Sequence, residues 1–116
     1  MAIDLVTVTT GLQTSNATEW VNYNDVELPP EDQTWGGLMV VIARNASGTS
    51  RMWLAGALFE QIVNMVSPVG DAGGAAWGVR VAFDGDHLTV QCRGGSEQDP
   101  VSWYIESDLW GVLSPV

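Results

Sequence analysis

Apolar positions along this chain come in short alternating runs separated by turns. Asp4–Thr10, DLVTVTT, is β-branched and alternating, which predicts a first strand. From Gly11 to Gln33 the texture becomes polar: only TEWVNY looks strand-like, and the adjacent Pro29 and Pro30 forbid helix or central strand. A stretch of this length predicts a loop or extended arm, and structureless segments beyond about 12–15 residues usually carry function or lie on a partner.

Dense apolar runs begin after TWGG. Gly37–Arg44, GLMVVIAR, is a continuous apolar run of strand length, the pattern of a strand buried on both faces. Asn45–Ser50, NASGTS, supplies a hairpin loop with a glycine. In RMWLAGAL, Met52, Leu54 and Leu58 alternate with Arg51, Trp53 and Ala55, and Gly56 would weaken a helix by about 1 kcal/mol relative to alanine. A period of two cannot put Met52, Trp53 and Leu54 on one face. Met52 and Leu54 are expected in the sandwich, with Trp53 turned toward a neighbouring subunit or partner.

Phe59–Val66 fits a further strand, although Leu58, Ile62 and Met65 also fall at helical spacing, so strand and single helical turn both stay open. Ser67–Ala76 is glycine-rich and predicts a loop. Trp77–Cys92 predicts a tight hairpin about Asp84-Gly85, with Trp77, Val79, Val81 and Phe83 matched by Leu88, Val90 and Cys92. After GGSEQDP, Val101–Ser107 forms a last strong strand with Val101, Trp103 and Ile105 inward and Tyr104 outward, followed by an apolar tail. The pattern predicts an all-β fold: an antiparallel β-sandwich or jelly roll of seven to eight short strands. Residues 1–33 would form the N-terminal strand and extended arm, and 34–116 the sandwich domain.

Composition narrows the function. With 116 residues the chain is one domain, and 46% apolar against 16% charged residues is a globular balance without a run long enough to span a bilayer. The net charge is −10, from fourteen acids against four arginines and no lysine. Nucleic-acid affinity depends on clustered positive charge, so nucleic acid is excluded as a partner, as is a membrane, and the RGG of CRGG is a strand end with a glycine turn. The lone Cys92 permits no intrachain disulfide and sits in phase with Leu88 and Val90 as a small buried hydrophobe. The first residues show neither a basic region nor a long apolar core typical of a signal peptide, which leaves the sequons at Asn16 and Asn45 as polar turns.

No catalytic, metal-binding or cofactor-binding constellation is expected. His87 is the only histidine, beside a turn and without a nucleophile motif, so a small hydrolase centred on it ranks third among the readings. DGDH begins like a calcium loop but lacks the remaining ligands, and Glu106 with Asp108 reads as a solvated strand end rather than a glycosidase pair. The six tryptophans are more informative. Trp77 and Trp103 run in phase with apolar neighbours and predict core, whereas Trp53 is out of phase and Trp20, Trp35 and Trp110 flank polar or glycine-rich segments. With the outward Tyr104, these four are the candidate partner-binding residues, because exposed aromatics serve both interface hot spots and sugar-stacking platforms. The apolar run from Leu38 to Ile42, AGALF and the apolar tail also exceed what one thin sandwich readily hides, which predicts self-association.

The succession WGGLMVVIAR, glycine loop, RMWLAG, loop, WGVRVAFDGDHLTVQC and VSWYIES resembles the knob domains of tailed-bacteriophage fibres and the small decoration proteins of their capsids. That resemblance implies a compact trimeric sandwich acting in the virion by binding capsid, tail or host surface. Fibre knobs follow a shaft, and the absence of one here tilts the expectation toward capsid decoration or a small head or tail accessory. The function expected is therefore non-enzymatic and structural, with other virion proteins as partners. The alternative is a carbohydrate-binding or receptor-binding module that presents its tryptophans to a host-surface glycan.

Overall fold

In the computed structural model, residues 2–27, 34–58, 67–70, 77–84 and 87–112 are described, and every regular element among them is a strand. In chain order these are β1 (Ala2–Thr14), β2 (Asn16–Glu27), β3 (Thr34–Asn45), β4 (Ser50–Leu58), β5 (Ser67–Gly70), β6 (Gly78–Asp84), β7 (His87–Gly94) and β8 (Val101–Val112). They form a five-stranded antiparallel sheet, ordered β1-β8-β3-β4-β5, packed against a three-stranded antiparallel sheet, ordered β2-β7-β6. The all-β sandwich expected from the sequence is thus the fold.

Several strands extend beyond their apolar signal. Of the polar stretch expected as a loop or arm, residues 11–27 are instead strand on both sides of Ser15, and residues 28–33 lie outside the described residues. Gly11–Thr14 completes β1 along β8, and β2 pairs with β7 through Asn16↔Gly94, Val21↔Cys92 and Val26↔Leu88. Irregular register in β2 lets one inner row, Tyr23 and Val26, reach the core while most of the strand stays polar. The tail belongs to a strand as far as Val112, since β8 runs through Trp110 to Val112 between β1 and β3, and residues 113–116 lie outside the described residues. Ser67–Gly70, expected as loop, pairs with Met52, Trp53 and Leu54 as the outermost strand β5, where Pro68 is tolerated because an edge strand needs no second row of donors. Residues 59–66, where strand and helical turn stayed open, lie outside the described residues. In the β6–β7 hairpin Asp84 pairs with His87, so the connecting residues are Gly85-Asp86, one position later than expected, and these too lie outside the described residues.

The core lies between the sheets. Met39, Val41 and Ala43 of β3, Trp53, Ala55 and Ala57 of β4, and Val101, Trp103, Ile105 and Leu109 of β8 meet Tyr23, Val26, Val81, Leu88, Val90 and Cys92 of the smaller sheet. Small Ala43 and Ala55 leave room for the indoles. Trp53 and Trp103 pack with centroids 5.4 Å apart, and Trp77 meets the Trp103 ring edge-on at 6.3 Å. One polar chain crosses this core: the Trp103 indole N–H donates to Thr14 Oγ1 (2.7 Å), and the Thr14 hydroxyl donates to the Gly94 carbonyl (2.8 Å). It ties β8 and β1 to β7 and leaves no indole donor unsatisfied there.

Two glycines make that closure possible. A side chain at Gly94 would strike Trp77 Cδ1 at 2.7 Å; Gly95, at φ +86°, would put a Cβ 2.8 Å from the Thr14 carbonyl oxygen. CRGG is therefore a strand end and turn, as the sequence indicates. Nearby, Asp99 accepts from Asn45 Nδ2 (3.0 Å), the Ala46 amide (3.2 Å) and Ser47 Oγ (3.1 Å), fastening the β3–β4 hairpin to the β7–β8 turn.

Candidate functional site

Strand alternation sorts the aromatic candidates onto opposite sides of the sheet. Trp53 is 3% exposed and stacked on Trp103, the reverse of its expected outward position. Its register explains this: Trp53 pairs with Val41 and Ala55 with Met39, both in the inner row, whereas Met52 and Leu54 pair with Ile42 and Val40 on the outer row. The alternation was legible but its sense was inverted, because a large indole over small alanines fills the core better than Met52 and Leu54 would. Trp35 is also buried, beside Gly37 and Leu109. Trp20, Trp110 and Tyr104 remain at the surface.

The outer face of the five-stranded sheet carries the apolar surplus. Along one row Tyr104, Ile42 and Met52 lie side by side on β8, β3 and β4; along the next come Glu106, Val40 and Leu54; beyond them Asp108 adjoins Leu38, and Trp110 lies opposite Gly36. Leu38 (41%), Ile42 (44%), Leu54 (40%), Tyr104 (46%) and Trp110 (37%) are all exposed. The run Gly37–Arg44, expected to be buried on both faces, is thus covered on one only. Since a large side chain presents about 150–250 Å², these five expose on the order of 400 Å², within the range of patches that are often functional.

The polar groups on this face are partnered among themselves. Thr7 Oγ1 donates to Asp108 Oδ1 (2.7 Å), and the Tyr104 hydroxyl donates to Glu106 Oε1 (3.3 Å). Desolvation, followed by the charges of Glu106 and Asp108, holds the Tyr104 phenol above its ordinary range, so it remains a neutral donor. Arg44 is exposed on the same face, at the end where β3 meets the hairpin.

The outer face of the smaller sheet has a different character. Trp20 lies over Gly78, whose backbone leaves no room for a Cβ beneath the ring (Cη2 at 2.9 Å). Two guanidiniums pack on the ring, Arg80 with Cζ 4.2 Å and Arg93 with Cζ 4.4 Å from its centroid. Next to them Arg80 Nε donates to Gln91 Oε1, and Gln91 Nε2 donates to Asn22 Oδ1.

The residues not anticipated are Leu54, expected in the sandwich, on the same outer face as Leu38 and Ile42 of the apolar run already expected to be surplus, and the arginines around Trp20. Parity within the Asp-Gly hairpin already places Arg80, Gln91 and Arg93 opposite the Val81–Val90 row, so that signal was available. The proximity of Trp20 was not, because it depends on the irregular register of β2.

His87 and Cys92 fall on opposite sides of β7, and among the described residues no three His, Cys, Asp or Glu side chains gather as a metal-binding group. Burial pushes the Cys92 thiol up to about 12, which keeps it a neutral packing group. No protein family, curated protein or solved structure matches this chain.

Proposed function

We propose that this chain is a non-enzymatic structural or accessory protein of a tailed-phage virion, assembling with copies of itself and with other virion proteins through the outer face of its five-stranded sheet. The observation that carries the assembly reading is the exposed row of Leu38, Ile42, Leu54, Tyr104 and Trp110. A stable interface buries about 800 Å² on each partner, so a patch of roughly half that area can form its dehydrated centre while the neighbouring polar positions supply a rim. Glu106 and Asp108 already hold hydrogen bonds within the face, which lowers the cost of covering them. The phage assignment and the number three for the oligomer come from the resemblance of the strand-and-loop succession to fibre knobs and decoration proteins.

Light scattering of the purified chain at micromolar concentration tests the assembly. A multiple of the 12.5 kDa chain mass is expected for the wild type, falling to the single mass for the Ile42→Lys/Leu54→Lys variant. A monomeric wild type would refute it. Mass spectrometry of purified virions tests the assignment to the particle. Absence there, together with saturable glycan binding, would favour the carbohydrate-binding or receptor-binding alternative.

A further inference from the structure

We propose that Trp20, Arg80 and Arg93, with Asn22 and Gln91, form a second binding site on the three-stranded sheet, one that takes the carboxylate of an acidic sugar. The argument begins with charge. Fourteen acids compete for only four arginines, so each guanidinium has many potential carboxylate partners within the chain. Two of the four are instead packed together on one indole, and among the described residues neither is paired with a carboxylate. Two guanidiniums held on one ring repel each other, and the Trp20 quadrupole offsets only part of that repulsion. A carboxylate bound by these guanidiniums would remove the remainder.

Geometry prepares the site. Stacking on Trp20 restricts each guanidinium plane, and the Arg80 Nε bond to Gln91 uses the inner donor while leaving the terminal nitrogens available. Gln91 is held in turn by Asn22, and Gly78 lets the indole lie against the sheet. Arginines held in this way lose less freedom on binding, and the paired N–H donors of a guanidinium match a carboxylate.

The wider charge distribution selects the ligand class. A polyanion of high charge density is repelled by the remaining acids of a chain carrying a net charge of −10. A ligand with a single carboxylate on an otherwise neutral, hydroxyl-rich body avoids that repulsion. The amide row of Asn22 and Gln91 beside the guanidiniums both donates and accepts, as sugar hydroxyls require. The site lies on the sheet opposite the assembly face, so the two can be occupied together.

The test follows the Trp20 indole N–H resonance of the full chain by two-dimensional NMR, assigned with Trp20→Phe, during titration with glucuronate at constant ionic strength. Saturable movement in the millimolar range is expected, with no movement on adding glucose. Arg80→Gln and Arg93→Gln should each weaken binding at least tenfold at an unchanged urea midpoint. If either glutamine variant fails to fold, Arg80→Lys and Arg93→Lys, which keep the charge but lose the paired donors, should still weaken binding severalfold. No saturable shift, an equal response to glucose or to inorganic phosphate, or a response indifferent to the arginines would overturn the proposal.

Discussion

Replacing Trp53 by alanine tests the assignment of faces in the five-stranded sheet, on which the assembly surface depends. The side chain is 3% exposed, packed on Trp103 at 5.4 Å, with the Arg51 guanidinium 5.3 Å from its ring centroid. Truncation removes roughly 200 Å² of buried apolar surface, about 5 kcal/mol at 25 cal/mol per Å². Because β4 has only the short edge strand β5 beyond it, the flanking Arg51 stem can settle into part of the void. That places the expected loss near 4 kcal/mol, inside the range of about 3–5 for buried aromatic-to-alanine changes. With a urea slope of roughly 2 kcal/mol/M the midpoint falls by about 2 M, a large share of the ~5–15 kcal/mol of a typical domain. Urea titration followed by far-ultraviolet circular dichroism measures this, and near-ultraviolet dichroism should lose the Trp53–Trp103 contribution. If stability changes by less than about 0.5 kcal/mol, within the usual range for surface substitutions, while self-association disappears, Trp53 faces outward and the assembly surface is assigned to the wrong side of the five-stranded sheet.

Two further outcomes follow from the β7–β8 region. Gly95→Ala should cost about 2–4 kcal/mol by thermal or urea unfolding, because a left-handed backbone (φ +86°) is combined with backbone atoms of Thr14 and Val101 within 3.0 Å of the new Cβ; Gly48→Ala, at φ +92° with open space around it, should cost only about 1 kcal/mol, and equal losses would contradict the packing account. The Cys92 thiol is raised to about 12 by burial from a reference of 9.0, so the folded state keeps its proton where the unfolded state loses it; stability linked to Cys92 is complete below pH 9 and is lost as pH rises toward 12, at up to about 1.4 kcal/mol per pH unit. Urea midpoints of wild type and Cys92→Ala between pH 8 and 11 should diverge in that sense, and parallel curves would count against it.

What alternation alone determined is considerable. The inward row Val101, Trp103, Ile105 and the matched rows of the β6–β7 hairpin occupy the sides that their period of two assigns, since a strand with one strongly apolar row has only one stable way to face a core. The same reasoning was insufficient wherever both rows of a strand are apolar. In Gly37–Arg44 and Ser50–Leu58 the local pattern is compatible with either orientation, and only the pairing of Trp53 with Val41, together with the indole stack on Trp103, selects the buried row. Local composition marked only TEWVNY within β2, and the remaining polar residues become strand because β7 offers them backbone partners. Those hydrogen bonds connect positions about seventy residues apart, and they bring Trp20 beside Arg80 and Arg93. Periodicity specifies which residues share a face, but which face is buried, and which residues from distant strands meet on it, depend on long-range pairing that no local window contains.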